Sequence, residues 1–193
     1  MKSHGWITYK LFFCLCLFVF TTGLQANPTG GNVAAGSAAI AGQGTSTVTV
    51  NQASNVAIIN WQTFSIGGGE LTQFIQPSAQ SAALNRVLGG QTSIINGTLS
   101  ANGQIYLVNG NGVVVGPGGV ISANAFTAST RDISDADFLA GNLHFTGSGN
   151  AGVQNFGKIT ATVGSAVATA VGTTAGLVGG GPRVIQFSMR LTF

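Results

Sequence analysis

Charge is scarce in this sequence. Only 6 % of its residues are Asp, Glu, Lys or Arg, against roughly 25 % in an average soluble protein. A charge-laced helical bundle is therefore excluded. Disorder is excluded by the opposite property, because disordered chains are poor in apolar residues and this one is 45 % hydrophobic. Cysteine is confined to Cys14 and Cys16, both inside one apolar run, so the remainder has no disulfide and no thiolate chemistry. His144 is the sole histidine after His4. A His-based metal cage cannot be built from it, and it is expected on a half-buried strand.

What is present is glycine, 30 residues in 193, scattered among β-branched, Ser, Thr and Asn residues. That mixture points to many short strands and tight turns. The N-terminus differs. Lys2 and Lys10 precede an unbroken apolar run from Leu11 to Phe20, followed by a small-residue exit ending at Ala26. Ten apolar residues match a secretory signal core and are short for a bilayer span. Residues 1–26 are thus expected to be a signal peptide for the Sec pathway, cleaved after Ala26, with an uncleaved anchor as the alternative. Beyond it, Arg86, Arg131, Lys158, Arg183 and Arg190 face Glu70, Asp132, Asp135 and Asp137. A balance of +1 is too small for a phosphate-neutralising surface, and nucleic acid is not an expected partner.

Asn27 to Gly44 reads as an entry segment with little order of its own. Short β runs follow at 45–50, 56–66, 71–76 and 83–88, with a glycine turn at Ile66 to Glu70. Asn-Gly then recurs at 96, 102, 109 and 111, with Gly-Pro-Gly-Gly at 116–119, and only three to five apolar residues lie between these marks. Two architectures accept this punctuation. Asn-Gly in the left-handed conformation makes type I′ hairpins of an antiparallel meander, and the same residues serve the corners of a parallel β-helix. Short strands and the non-alternating run Val113-Val114-Val115 favour the solenoid. Ser134 to Gly141 reads as a one-turn helix with Ser134 as cap, Asp135 and Asp137 at its positive end and Gly141 as its stop. Residues 161–181 are low-complexity. From Ile185 to Phe193 apolar and polar residues alternate, a strand signal.

Chemistry is hard to assemble here. A Gly-x-Ser-x-Gly elbow is missing around Ser148, where Thr146 and Asn150 replace the glycines. Three of the four acids lie within six residues. Asp132, Asp135 and Asp137 lack the spacing and glycine of an EF-hand loop, and helix capping with an ion pair to Arg131 accounts for them. Gly110, Gly112 and Gly116 miss the dinucleotide fingerprint by one residue. Asn96-Gly97-Thr98 is a glycosylation sequon. No catalytic activity, cofactor or metal is expected.

Several separate motifs, in order, carry a family likeness. They are Ile59-Asn60-Trp61-Gln62-Thr63-Phe64-Ser65-Ile66-Gly67, Ala83-Leu84-Asn85-Arg86-Val87, Ala101-Asn102-Gly103-Gln104-Ile105-Tyr106-Leu107-Val108-Asn109, Gly110-Asn111-Gly112-Val113-Val114-Val115-Gly116, and the stretch from Ala128 to Gly141 containing Asp132, Asp135 and Asp137. From about Asn32 to Val163 the chain resembles the N-terminal secretion (haemagglutination activity) domain of filamentous-haemagglutinin-like exoproteins, exported by two-partner secretion in Gram-negative bacteria. The resemblance implies an all-β fold, a right-handed parallel β-helix with an N-terminal cap and a short helical insertion. Trp61, Phe64, Asn85, Arg86, Asn102, Gly103, Asp132, Asp135 and Asp137 become its structural motif residues. The family's Asn-Pro-Asn-Gly motif falls on Asn109-Gly110-Asn111-Gly112, where Gly110 replaces proline and loosens the turn.

The expected organisation is a signal peptide at 1–26, a β-helix domain at 27–163 and a connector with an amphipathic strand at 164–193. About six turns stacked at roughly 4.8 Å would give a rod of roughly 30 Å. The expected function is recognition for export by the periplasmic domains of an outer-membrane transporter, with Asn109, Gly110, Asn111 and Gly112 as the candidate recognition turn. A monomer, secreted or at the cell surface, is expected. Two alternatives are a surface adhesin binding glycans and, third, a polysaccharide-active enzyme. The tail resembles the closing strand of an outer-membrane barrel, which implies outer-membrane association, a borrowed or truncated gene end, or a strand covering the solenoid end. It is expected to be an element separate from the solenoid core.

Overall fold

The computed structural model describes residues 27–147, 151–161, 168–170 and 186–187. The expected signal peptide, Ser148, most of the connector and most of the final strand lie outside them. The described chain winds as a parallel β-solenoid with three sheets. Its first layer is β3 (Thr47–Gln52) and β4 (Val56–Trp61). Three coils with a strand on every side follow. The first is β5 (Leu71–Ile75), β6 (Ala82–Val87) and β7 (Ser93–Ile95). The second is β8 (Thr98–Ala101), β9 (Gln104–Val108) and β10 (Val113–Val115). The third is β11 (Val120–Ala123), β12 (Ala125–Ser129) and β13 (Val153–Asn155). A last layer contains β14 (Lys158–Ala161) and β15 (Ala168–Ala170). The described residues thus hold three complete coils, not six.

The segment expected to lack order instead forms the cap. β1 (Asn32–Ala35) pairs antiparallel with β4, and β2 (Ala38–Ala41) pairs antiparallel with β3. Small residues suit this role, since they let edge strands lie close over the first coil. At the other end β16 (Gln186–Phe187) pairs antiparallel with β15. The sheet therefore continues past residue 163, and these two tail residues belong to it.

Stacking in register builds the core. Val48, Thr72, Leu99, Ile121 and Ile159 form one inward column, and Ile59, Asn85, Leu107 and Ala128 form another. Val113 and Val115 point inward while Val114 is only half-buried, so this run alternates after all. The third coil is interrupted by an insertion holding α1 (Asp135–Leu139), with Ser134 accepting from the Asp137 amide as its cap. Gly141 takes φ +77°, the left-handed stop that ends the helix.

Candidate functional site

The turn at residues 109–112 joins β9 to β10. Its closing bond runs from the Gly112 amide to the Asn109 carbonyl at 3.0 Å. Among the described residues no non-glycine residue has positive φ, and Gly110 does not either, whereas Gly112 takes φ +103°. This is the pattern of a type I turn with Asn first and Gly fourth, so the I′ geometry of the hairpin alternative is not adopted here. Asn109 is fully buried. Its amide donates to the Gln91 carbonyl and the Ser93 hydroxyl, both at 2.9 Å, and its oxygen accepts from the Asn111 amide nitrogen. Gly110 and Asn111 are exposed. Asn109 therefore holds the turn, and the two central residues form its tip. A Cβ on Gly110 would meet nothing within 4 Å.

The other motif residues divide into three groups. Inside the solenoid, Trp61 donates through Nε1 to Asn85 Oδ1 at 3.0 Å and meets Phe64 edge-on at 5.6 Å. Asn85 sits in an otherwise aliphatic column, and Trp61 supplies the partner that makes its burial affordable. At the corner before β9, Asn102 bonds the Gln76 backbone in both directions at 2.7 Å, and the Gly103 amide donates to Gln76 Oε1 at 3.0 Å. A Cβ on Gly103 would lie 2.6 Å from the Ser81 carbonyl oxygen, so glycine is needed for close approach. Its partner Gln76 was not singled out in the sequence, although its position one coil earlier marks it. The same holds for Asn27, buried and bonded to Thr45 and to Thr72 at the first coil.

The third group lies on the outside of the sheet that contains β4, β6, β9 and β12. Arg86 Nε reaches Asp132 and its Nη1 reaches Asp135, each at 2.8 Å, while Nη2 donates to the Ile133 carbonyl at 2.6 Å. The expected ion pair to Arg131 is thus replaced by one to Arg86, 46 residues upstream in sequence, and the Arg131 Nε atom is buried without a partner. Burial acts to lower the Arg86 pKa, but the two carboxylates outweigh it and hold the guanidinium above its usual range. Asp137 serves the helix cap, accepting from the Ser134 hydroxyl. Beneath this clamp the insertion buries Ile133 and Phe138 on Ile58, Leu84, Tyr106 and Val108, with Phe138 edge-on to Tyr106 at 5.1 Å. His144 is exposed in the loop after α1, not on a half-buried strand. Among the described residues no three of His, Cys, Asp and Glu come together as a metal site. What the described residues expose is a turn tip, two edge strands and sheet faces with few charges.

The comparisons with known proteins follow the same outline. The TPS secretion domain family matches residues 24–181. Two curated relatives, both heme/hemopexin-binding proteins of Haemophilus influenzae, are 38 % identical over 99 residues and, in strain Rd, 40 % identical over 106 residues. Those matches cover 51 % and 55 % of this chain but only 11 % and 12 % of the relatives. The crystal structure of the HMW1 secretion domain from Haemophilus influenzae superposes with a TM-score of 0.65 at 37 % identity, covering 70 % of this chain and 37 % of that one.

Proposed function

Because the chain belongs to the TPS secretion domain family, whose members are exoprotein domains secreted by Gram-negative bacteria in two-partner systems, we propose that its solenoid is the export signal read by the periplasmic domains of a cognate outer-membrane transporter. The observation that carries this reading is the family match, which spans the cap, every complete coil and the insertion. The role is non-catalytic. Residues 1–26 direct Sec export and are removed after Ala26. The chain then works as a monomer during transfer to the cell surface.

Docking uses the exposed tip of the 109–112 turn together with unpaired strand edges. β1 and β2 are the outermost strands of their sheets at the capped end, and no charged residue occurs between Lys10 and Glu70. Such edges lack the charge that usually blocks strand addition and suit a partner that adds a strand. Long-range steering contributes little at a net charge of +1.

The test is capture of the purified chain by the transporter's immobilised periplasmic domains. Gly110→Arg is the informative variant, because its side chain meets no neighbour and the fold should survive. Capture of the wild-type chain, with loss of capture by a folded Gly110→Arg chain, is expected. Failure of the wild-type chain to bind would overturn transporter recognition, and undiminished capture of Gly110→Arg would remove the turn from the interface.

A further inference from the structure

Nearly every amide and hydroxyl singled out so far is already committed inside the protein. The outer face of the sheet formed by β3, β5, β8, β11 and β14 is the exception. In-register pairing stacks Thr49, Gln73, Ser100, Ser122 and Thr160 into one outward column. All five are half-buried or exposed, and among the described residues none of their side chains makes a hydrogen bond within the protein. Strand spacing sets their separation at about 4.8 Å, so the column runs about 19 Å along the solenoid axis. Beside it lie Leu71 and Val120 on one flank and Ile75, 47 % exposed, on the other. Lys158, in the last strand, is the one charge on this face among the described residues.

We propose that this face binds an extended neutral glycan, one sugar per strand, lying along the column. The chemistry of the occupant follows from the chemistry of the face. Apart from Lys158 at one end, the regularly spaced donors and acceptors carry no charge; they recognise hydroxyl groups and leave most of a sulfated or carboxylated chain with its desolvation uncompensated. The flanking Leu71, Val120 and Ile75 offer apolar contact to the C–H faces of pyranose rings, and the polar column fixes their orientation, the division of labour common in ligand sites. The strand spacing is also close to the rise per sugar of an extended β-linked chain, so one register can persist over several coils. A protein strand fits less well here, because it would need an unpaired sheet edge and this is a sheet face. The proposal stands apart from transporter recognition, which uses the turn tip and the capped end.

The experiment is a titration of the whole chain with chitohexaose and cellohexaose, followed by isothermal calorimetry and by amide chemical shifts, with heparin and the corresponding disaccharides as controls. Binding of at least one hexaose, with shifts confined to β5, β8 and β11 and much weaker binding of its disaccharide, is expected. Gln73→Ala and Ser122→Ala should each weaken it, and the pair should do so about tenfold through lost hydrogen bonds. Gly110→Arg should leave it unchanged, which separates this face from the transporter site. No binding of either hexaose at millimolar concentration, unaltered affinity in the double variant, or a preference for heparin would each overturn the proposal.

Discussion

The two long sheets of the solenoid share one interior but finish their outer faces in opposite ways. Outside β4, β6 and β9 the chain places Ile58, Leu84, Tyr106 and Val108, and these are buried in one cluster with Ile133 and Phe138 of the insertion after β12. Outside β5, β8 and β11 it places Gln73, Ser100 and Ser122, and nothing described covers them. An apolar outer face obliges the chain to supply its own cover and a means of holding it. Arg86 is that means, joining β6 to Asp132, Asp135 and the Ile133 carbonyl. A neutral polar face needs no cover and stays available to a partner.

The comparison breaks most readily at the cover. Phe138→Ala removes the ring that packs on Tyr106 and should cost about 3 kcal/mol, read as a lower urea midpoint with new protease cuts within residues 130–146. Arg86→Met should cost about 2 kcal/mol, since hydrogen bonds to charged groups are lost while Asp132 and Asp135 stay half in water. Melting of both sheets at unchanged protease resistance of the insertion would show that Arg86 is not its anchor.

Tyr106 supplies a pH test of the same cover. Burial raises its pKa above the usual 10.0, so the folded state keeps the proton at pH values where the unfolded chain has lost it. Stability from this group is complete below pH 10.0 and declines as pH rises through the raised value. Alkaline urea titrations should therefore show a steeper loss for wild type than for Tyr106→Phe, and equal slopes would contradict burial of the phenol under the insertion.

Two smaller effects sharpen the contrast. Gly110→Pro should stabilise the chain by about 0.4–1 kcal/mol, because the Gly110 amide makes no hydrogen bond among the described residues, its φ is not positive and a Cβ there meets open space. Ser100→Ala should change stability by no more than about 0.5 kcal/mol, since its hydroxyl serves no internal partner. A larger loss from Ser100→Ala in a denaturant melt would mean that the bare face contributes to the fold.

Architecture was legible in the sequence, though partly for reasons that the structure revises. Short strands between Asn-Gly marks indicated stacked coils, and β7, β10 and β13 do pair in parallel. The Val113 run, however, looks non-alternating in the sequence, and in the structure it alternates. Asn-Gly suits the left-handed backbone of a hairpin, yet Gly103 is required because Ser81 and Gln76 approach it too closely for a side chain. Periodicity cannot distinguish those causes, because close approach depends on a neighbour one coil away. The same nonlocality hid the partners of Asp132 and Asp135: proximity in sequence favoured Arg131, whereas coiling brings Arg86 to them. Asn27 to Gly44 looked featureless because small residues carry little period, although smallness is what lets β1 and β2 cap the first coil. The 109–112 turn is visible as a motif, but only the structure shows that Asn109 is spent on Gln91 and Ser93 and that the Asn111 amide group bonds the Gly89 carbonyl, with Gly110 and Asn111 exposed at the tip.

Transporter recognition by the turn tip and the capped end is tested most directly by backbone hydrogen exchange, with and without the transporter's periplasmic domains. Slower exchange at Gly110 and Asn111 and along the free edges of β1 and β2, with β5, β8 and β11 unchanged, is the expected result. Unchanged exchange throughout the chain at saturating partner, or protection confined to β5, β8 and β11, would contradict it.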